Sequence, residues 1–145
     1  MNLALVLLPL LMTSPKDLQT VLQKFHNLNS EKQEELFLRD YTSSTNPSVM
    51  AYVVTLEIKK AEYAFSPVRK YNIFSTGKDK LDKLIVDNPD NIHLHYMRYL
   101  IQKKAPSILG YNQYLKEDKR KLKSYLISNS DSDSLSMYIR KNCSL

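Results

Sequence analysis

The sequence predicts an all-α fold, a compact antiparallel bundle of five to six helices. Three observations carry that prediction. Apolar residues recur at three- and four-residue spacing, and no segment shows sustained period-two alternation. Prolines follow capping residues at Ser14-Pro15, Asn46-Pro47 and Ser66-Pro67, the pairing that opens helices. Only two glycines, Gly77 and Gly110, are present, too few for the tight turns of a β-rich fold.

Each element has its own start or stop signal. A helix over 15–27 opens at Pro15. A second, over 31–41, follows Ser30, whose spacing to Gln33 fits a capping box. Asn46-Pro47 opens 47–65 and Ser66-Pro67 opens 67–87. Asn88-Pro89-Asp90 stops the chain and restarts it as 91–104, which Ala105-Pro106 closes. Gly110 precedes the last helix, 111–128. Residues 15–128 thus read as a single helical domain, the size that 145 residues allow. Residues 129–145 are serine-rich and read as a disordered tail with at most a turn at Leu135–Ile139.

The first fourteen residues, "MNLALVLLPLLMTS", form an uncharged apolar leader of signal-peptide length. The run is too short to span a bilayer, so no transmembrane span is expected. Pro9 interrupts it and no lysine or arginine precedes it, which leaves a short apolar helix against the core as the alternative. Read as a signal peptide, the leader implies export to the periplasm or envelope; otherwise the chain is cytoplasmic.

Composition excludes several classes of chemistry. Two glycines cannot build a phosphate-cradling loop, where backbone amides must approach the anion closely. The single cysteine, Cys143, rules out a disulfide framework or a thiolate zinc site within one chain. The net charge is +6, with ten basic against six acidic side chains over 41–110 and seven against four over 111–145. The excess is spread out, as on a solvated basic surface, and makes nucleic acid an unlikely partner.

The stretch "NPDNIHLHYMRYLIQ" holds two of the three histidines. At about 100° per residue, His93 and His95 point to opposite sides of helix 91–104 and cannot chelate one ion. His93 falls on the apolar side with Leu94, Tyr96 and Met97, while His95 shares the other side with Arg98 and Gln102, read as a solvated or ion-paired face. No catalytic, cofactor-binding or metal-ligating set is identified.

Two carboxylates stand in apolar stripes instead. Glu57 lies among Val53, Val54, Ile58 and Ala61, and Asp118 among Tyr111, Tyr114, Leu115 and Leu122. A buried carboxylate must be paired, hydrogen-bonded or protonated. Arg98, Arg69, Lys60 and tyrosine hydroxyls are the available donors. The expected arrangement is a buried polar clasp, or a groove, formed by Glu57, Arg98, Asp118, His95 and Tyr111. Gly77 falls in the buried stripe of helix 67–87, between Phe74 and Leu81, where a missing side chain permits close approach of a neighbouring helix.

The stretch "YNIFSTGKDKLDKLIVDNPDNIHLHYMRYLIQ", with Gly77, Leu81, Ile85, Pro89 and Asn91 in comparable places, resembles part of a tetratricopeptide-type repeat. The wider span Lys59 to Leu122 resembles a group of small uncharacterised bacterial proteins that share Phe…Gly-Lys, Pro-x-Asn and Ile-Leu-Gly-Tyr signatures behind an apolar leader. These resemblances imply tetratricopeptide-like helical hairpins in an exported helical domain, and they bring no catalytic residues.

The function expected is a non-catalytic helical scaffold or a module binding a protein, peptide or ligand in the bacterial cell envelope, without a cofactor. The alternatives are a basic surface for nucleic acid or anionic lipid, centred on "KEDKRKLKSYL", and a small enzyme using Glu57 or Asp118 as acid or base.

Overall fold

Short polar side chains start most of the helices. Asn46 accepts from the Ser48 N–H at 2.9 Å, and Ser66 from the Arg69 N–H at 3.4 Å. Asn91 accepts from the His93 and Leu94 amides at 3.1 and 3.3 Å. Each satisfies donors that a first helical turn leaves open. Ser30 accepts from the Gln33 N–H, and the Gln33 side chain reaches back to the Asn29 N–H.

The computed structural model of the protein describes residues 15–145. The described residues form seven α-helices: α1 (Pro15–His26), α2 (Glu31–Tyr41), α3 (Pro47–Lys59), α4 (Pro67–Asp87), α5 (Ile92–Lys104), α6 (Leu115–Ser128) and α7 (Ser134–Asn142). Short 3-10 turns occupy Lys60–Tyr63 and Ser107–Leu109. The apolar leader lies outside the described residues. No described helix is long and apolar enough to cross a membrane.

The all-helical expectation holds, with seven helices where five to six were expected. The additional helix is α7, inside the segment read as a disordered tail. Its serines misled: Asp133 caps the helix by accepting from the Ser136 N–H and hydroxyl, both at 2.9 Å, so Ser136 is a satisfied buried residue. Leu135 and Ile139, four residues apart, supply the buried stripe, and Cys143 follows them inward. The last expected helix also starts later, at Leu115, because Gly110 adopts a left-handed φ of 60° and the chain turns before α6.

α3 and α5 form the centre. Their first turns lie side by side, with Asn91 Nδ2 donating to Ser48 Oγ at 2.8 Å and the Tyr52 hydroxyl to His93 Nδ1 at 2.5 Å. The two helices therefore run in the same direction. α4 returns between them in sequence and rests on α3, where Gly77 faces Ile58; a Cβ at Gly77 would overlap Ile58 Cγ1. α1 and α2 cover α3, and α6 covers the far side of α5. α7 is tied in through the Tyr96 hydroxyl, which donates to the Tyr138 carbonyl at 3.2 Å and accepts from Asn142 Nδ2 at 3.0 Å. Burial matches this order: residues Leu94 to Tyr99 of α5 are buried without exception, as are Ala51 to Val54 of α3.

Candidate functional site

Asp118 is completely buried at the start of α6 and accepts four hydrogen bonds from α5. Oδ1 takes the His95 Nδ1–H at 2.7 Å and the Arg98 Nη2–H at 2.8 Å. Oδ2 takes the Arg98 Nε–H at 2.9 Å and the Gln102 Nε2–H at 2.8 Å. His95, Arg98 and Gln102 lie on one face of α5 by their three- and four-residue spacing, and that face meets α6. The solvated alternative for this face is therefore corrected: His95 is 1% and Arg98 3% exposed. A polar stripe is as compatible with a charged partner helix as with water, and here the partner is one carboxylate.

The outer contacts complete the clasp. His95 Nε2 lies 2.7 Å from the Pro89 carbonyl oxygen, so both ring nitrogens face oxygen atoms. Lys121 donates to the same carbonyl at 2.8 Å. Gln102 Oε1 accepts from the Tyr114 N–H at 2.9 Å, and the Tyr114 ring lies 4.0 Å from the Arg98 guanidinium carbon. Tyr111 donates to Asp82 at 2.8 Å, and the same Asp82 oxygen is 3.7 Å from Arg98. Burial and the adjacent Asp82 carboxylate hold the Tyr111 phenol well above its ordinary range. Every fully buried side-chain polar atom among the described residues has a partner.

Of the predicted residues, Arg98, Asp118, His95 and Tyr111 come together, and Glu57 does not. Glu57 is 29% exposed and is held by Lys80, at 3.1 and 3.0 Å to its two oxygens. It sits at the edge of the α3 stripe, where a lysine from α4 reaches it from the solvent side. Lys60 and Arg69 take no part in the clasp. Sequence reasoning missed Gln102, Asp82 and the Pro89 carbonyl as members. The first was visible in its spacing from His95 and Arg98; the other two come from α4 and the turn after it, whose packing against α5 and α6 local spacing does not report.

A second polar group joins α1, α3, α5 and α7. His93 accepts from Tyr52, and His26 stacks on Tyr138 with ring centroids 4.1 Å apart. Burial lowers both imidazoles to about 4, His26 with help from the Lys141 charge.

A groove of about 660 Å³ lies on the side of α5 away from Asp118. Thr55, Ile58, Leu100 and Ile101 line it from α3 and α5, Phe25 and His26 from α1, and Tyr71 and Phe74 from α4. Its far wall is the connection Ala105–Leu109. The lining is mostly apolar, and Tyr71 and Ile108 stand 58% and 92% exposed beside it. Glu34, buried, holds Lys59 by an ion pair and accepts from the Tyr63 hydroxyl at 3.1 Å at the α2 end. Among the described residues no cluster of histidine, cysteine and carboxylate side chains has metal-binding geometry.

Searches for a matching family model, a similar curated protein and a similar solved structure each found no match.

Proposed function

We propose that this protein is a helical binding module of the bacterial cell envelope, non-catalytic and without a cofactor, which holds a peptide or apolar ligand in the groove over α3 and α5. The single observation that carries the reading is the groove itself: about 660 Å³, apolar, open, and flanked by exposed Tyr71 and Ile108. Ligand sites have this size and character, with an apolar lining and a few polar groups that orient the guest. Consecutive antiparallel helices with two parallel members forming the floor also suit the tetratricopeptide-like arrangement, whose grooves take extended or helical segments.

The clasp has the opposite character. Asp118 has no contact with solvent, and its oxygens are taken by His95, Arg98 and Gln102, so it serves as structural support behind the groove.

The test uses a neutral apolar reporter, Nile red, titrated into the folded full chain. Saturable binding near one equivalent is expected, weakened at least about fivefold by Leu100→Gln with helical circular dichroism unchanged. Absence of saturable binding, or binding indifferent to Leu100→Gln and Tyr71→Ser alike, would overturn the reading.

A further inference from the structure

We propose that the end of the bundle where α3 and α5 finish is a docking surface for an anionic lipid bilayer. The surface borders the groove but does not require it to be occupied, so the two readings stand or fall separately.

The topology gathers this end. α3 and α5 run in parallel, so the connections that follow them, 60–66 and 105–114, emerge side by side; Pro67 and Tyr71 share a lining with Pro106 and Ile108. Nine large apolar side chains are exposed among the described residues, and five of them stand here: Tyr63, Phe65, Val68, Tyr71 and Ile108. Phe65 is fully exposed and Ile108 is 92% exposed, each at a connection between helices. Leaving several such side chains in water at one end of the bundle costs free energy, and a concentration of exposed apolar side chains marks an interaction site.

Charge selects the partner. Lys60 on the first connection, Arg69 and Lys70 in the first turn of α4, and Lys103 and Lys104 in the last turn of α5 accompany these side chains. None of the five has an ion-pair or side-chain hydrogen-bond partner among the described residues; the same is true of Lys116, Lys119, Arg120 and Lys123 on α6, but that helix exposes one large apolar side chain, Ile127, against five at this end. Glu31, Glu34 and Glu35 share a lining with Lys60, Tyr63, Phe65 and Arg69, and Glu62 shares one with Lys70 and Lys104; Glu34 is already held by Lys59, and with Lys59 the six cations of this end outnumber its four acids. Apolar tips that enter the acyl boundary, with unpaired cations at the height of the headgroups, are the two signals that hold a protein at an anionic membrane surface. Protruding tips also favour a deformable bilayer over a protein partner, which would have to offer a pocket for each one.

The experiment mixes the full chain with vesicles of phosphatidylcholine alone or with about one-third phosphatidylglycerol. An environment-sensitive fluorophore is placed at Ile108→Cys or, as a control, at Ile127→Cys on α6, also exposed. Native Cys143 is buried with its thiol pushed up to about 12, so labelling falls on the introduced cysteine. The Ile108 probe is expected to shift to the blue and to be quenched by spin-labelled lipid only with the anionic vesicles; the Ile127 probe is expected to do neither. Lys70→Gln with Lys104→Gln should lower the partition coefficient about fivefold per lysine, since each cation near such a surface contributes on that scale, and Phe65→Ser should lower it further. The proposal is overturned if only the Ile127 probe responds, if neither does, if phosphatidylcholine binds equally well, or if an amphipathic peptide moves the Ile108 probe while the vesicles do not.

Discussion

Replacing Asp118 by asparagine tests the centre of the structure with the smallest change of shape. The carboxylate accepts four hydrogen bonds, two from Arg98 and one each from His95 and Gln102. All four come from N–H donors, so an amide that presents its own NH₂ at Oδ1 or Oδ2 meets a donor where an acceptor is needed. At least one buried donor loses its partner, and the Arg98 guanidinium loses the charge that offsets its own. Taken singly, hydrogen bonds to a charged group contribute about 1.5–3 kcal/mol each, but the carboxylate's desolvation offsets much of that sum. The measured cost of removing one member of a buried ion pair, about 3–5 kcal/mol, is the better guide. Against a total stability on the order of 5–15 kcal/mol for a domain of this kind, that is a large fraction. Urea unfolding followed by far-ultraviolet circular dichroism should show a lower midpoint with an unchanged slope. A loss under about 1 kcal/mol would refute the claim that Asp118 organises α5 and α6. A double-mutant cycle with Arg98→Met would then locate the coupling: the paired replacement should cost less than the sum of the single ones.

Gly77→Leu should destabilise the fold by at least about 1–3 kcal/mol, the usual range for overpacking, because even a Cβ at that position overlaps Ile58 Cγ1; an unmoved thermal midpoint would contradict the close approach of α3 and α4. Acid should weaken the protein before its carboxylates titrate. His93 and His26 are lowered by burial from an ordinary 6.5 to about 4, so between those values the unfolded chain binds protons that the folded one does not, and stability falls as pH drops from about 6.5 toward 4. His93→Gln should flatten that slope, as read from thermal midpoints over the same range, and an unchanged slope would place the effect elsewhere.

Helix starts were legible in the sequence because they are local. Asn46, Ser66 and Asn91 cap helices with side chains two or three residues from the amides they satisfy. The start of α6 was less legible for a physical reason: Tyr111 is buried from a turn and reaches Asp82, and apolar spacing reports burial rather than helicity. The inward position of Asp118 could be read from its neighbours Leu115 and Leu122. Its partners were harder, since His95, Arg98 and Gln102 form a polar stripe that looks the same whether it faces water or another helix. Glu57 failed for the complementary reason. Its place at the edge of a stripe was decided by Lys80, a residue on another helix with a side chain long enough to intercept it. In α7, composition suggested disorder, while two apolar residues at the right spacing and one aspartate cap were enough to dock the helix.

The position of α5 between the clasp and the groove bears on how the groove can respond. On one side the helix is fastened to Asp118, and on the other it supplies Leu100 and Ile101 to the floor. A floor anchored from behind yields little under load, so a guest would have to conform to the cleft instead of reshaping it. The backbone amides of α5 should accordingly be the slowest in the molecule to exchange with solvent, and adaptation would fall to the 60–66 and 105–114 connections at the rim.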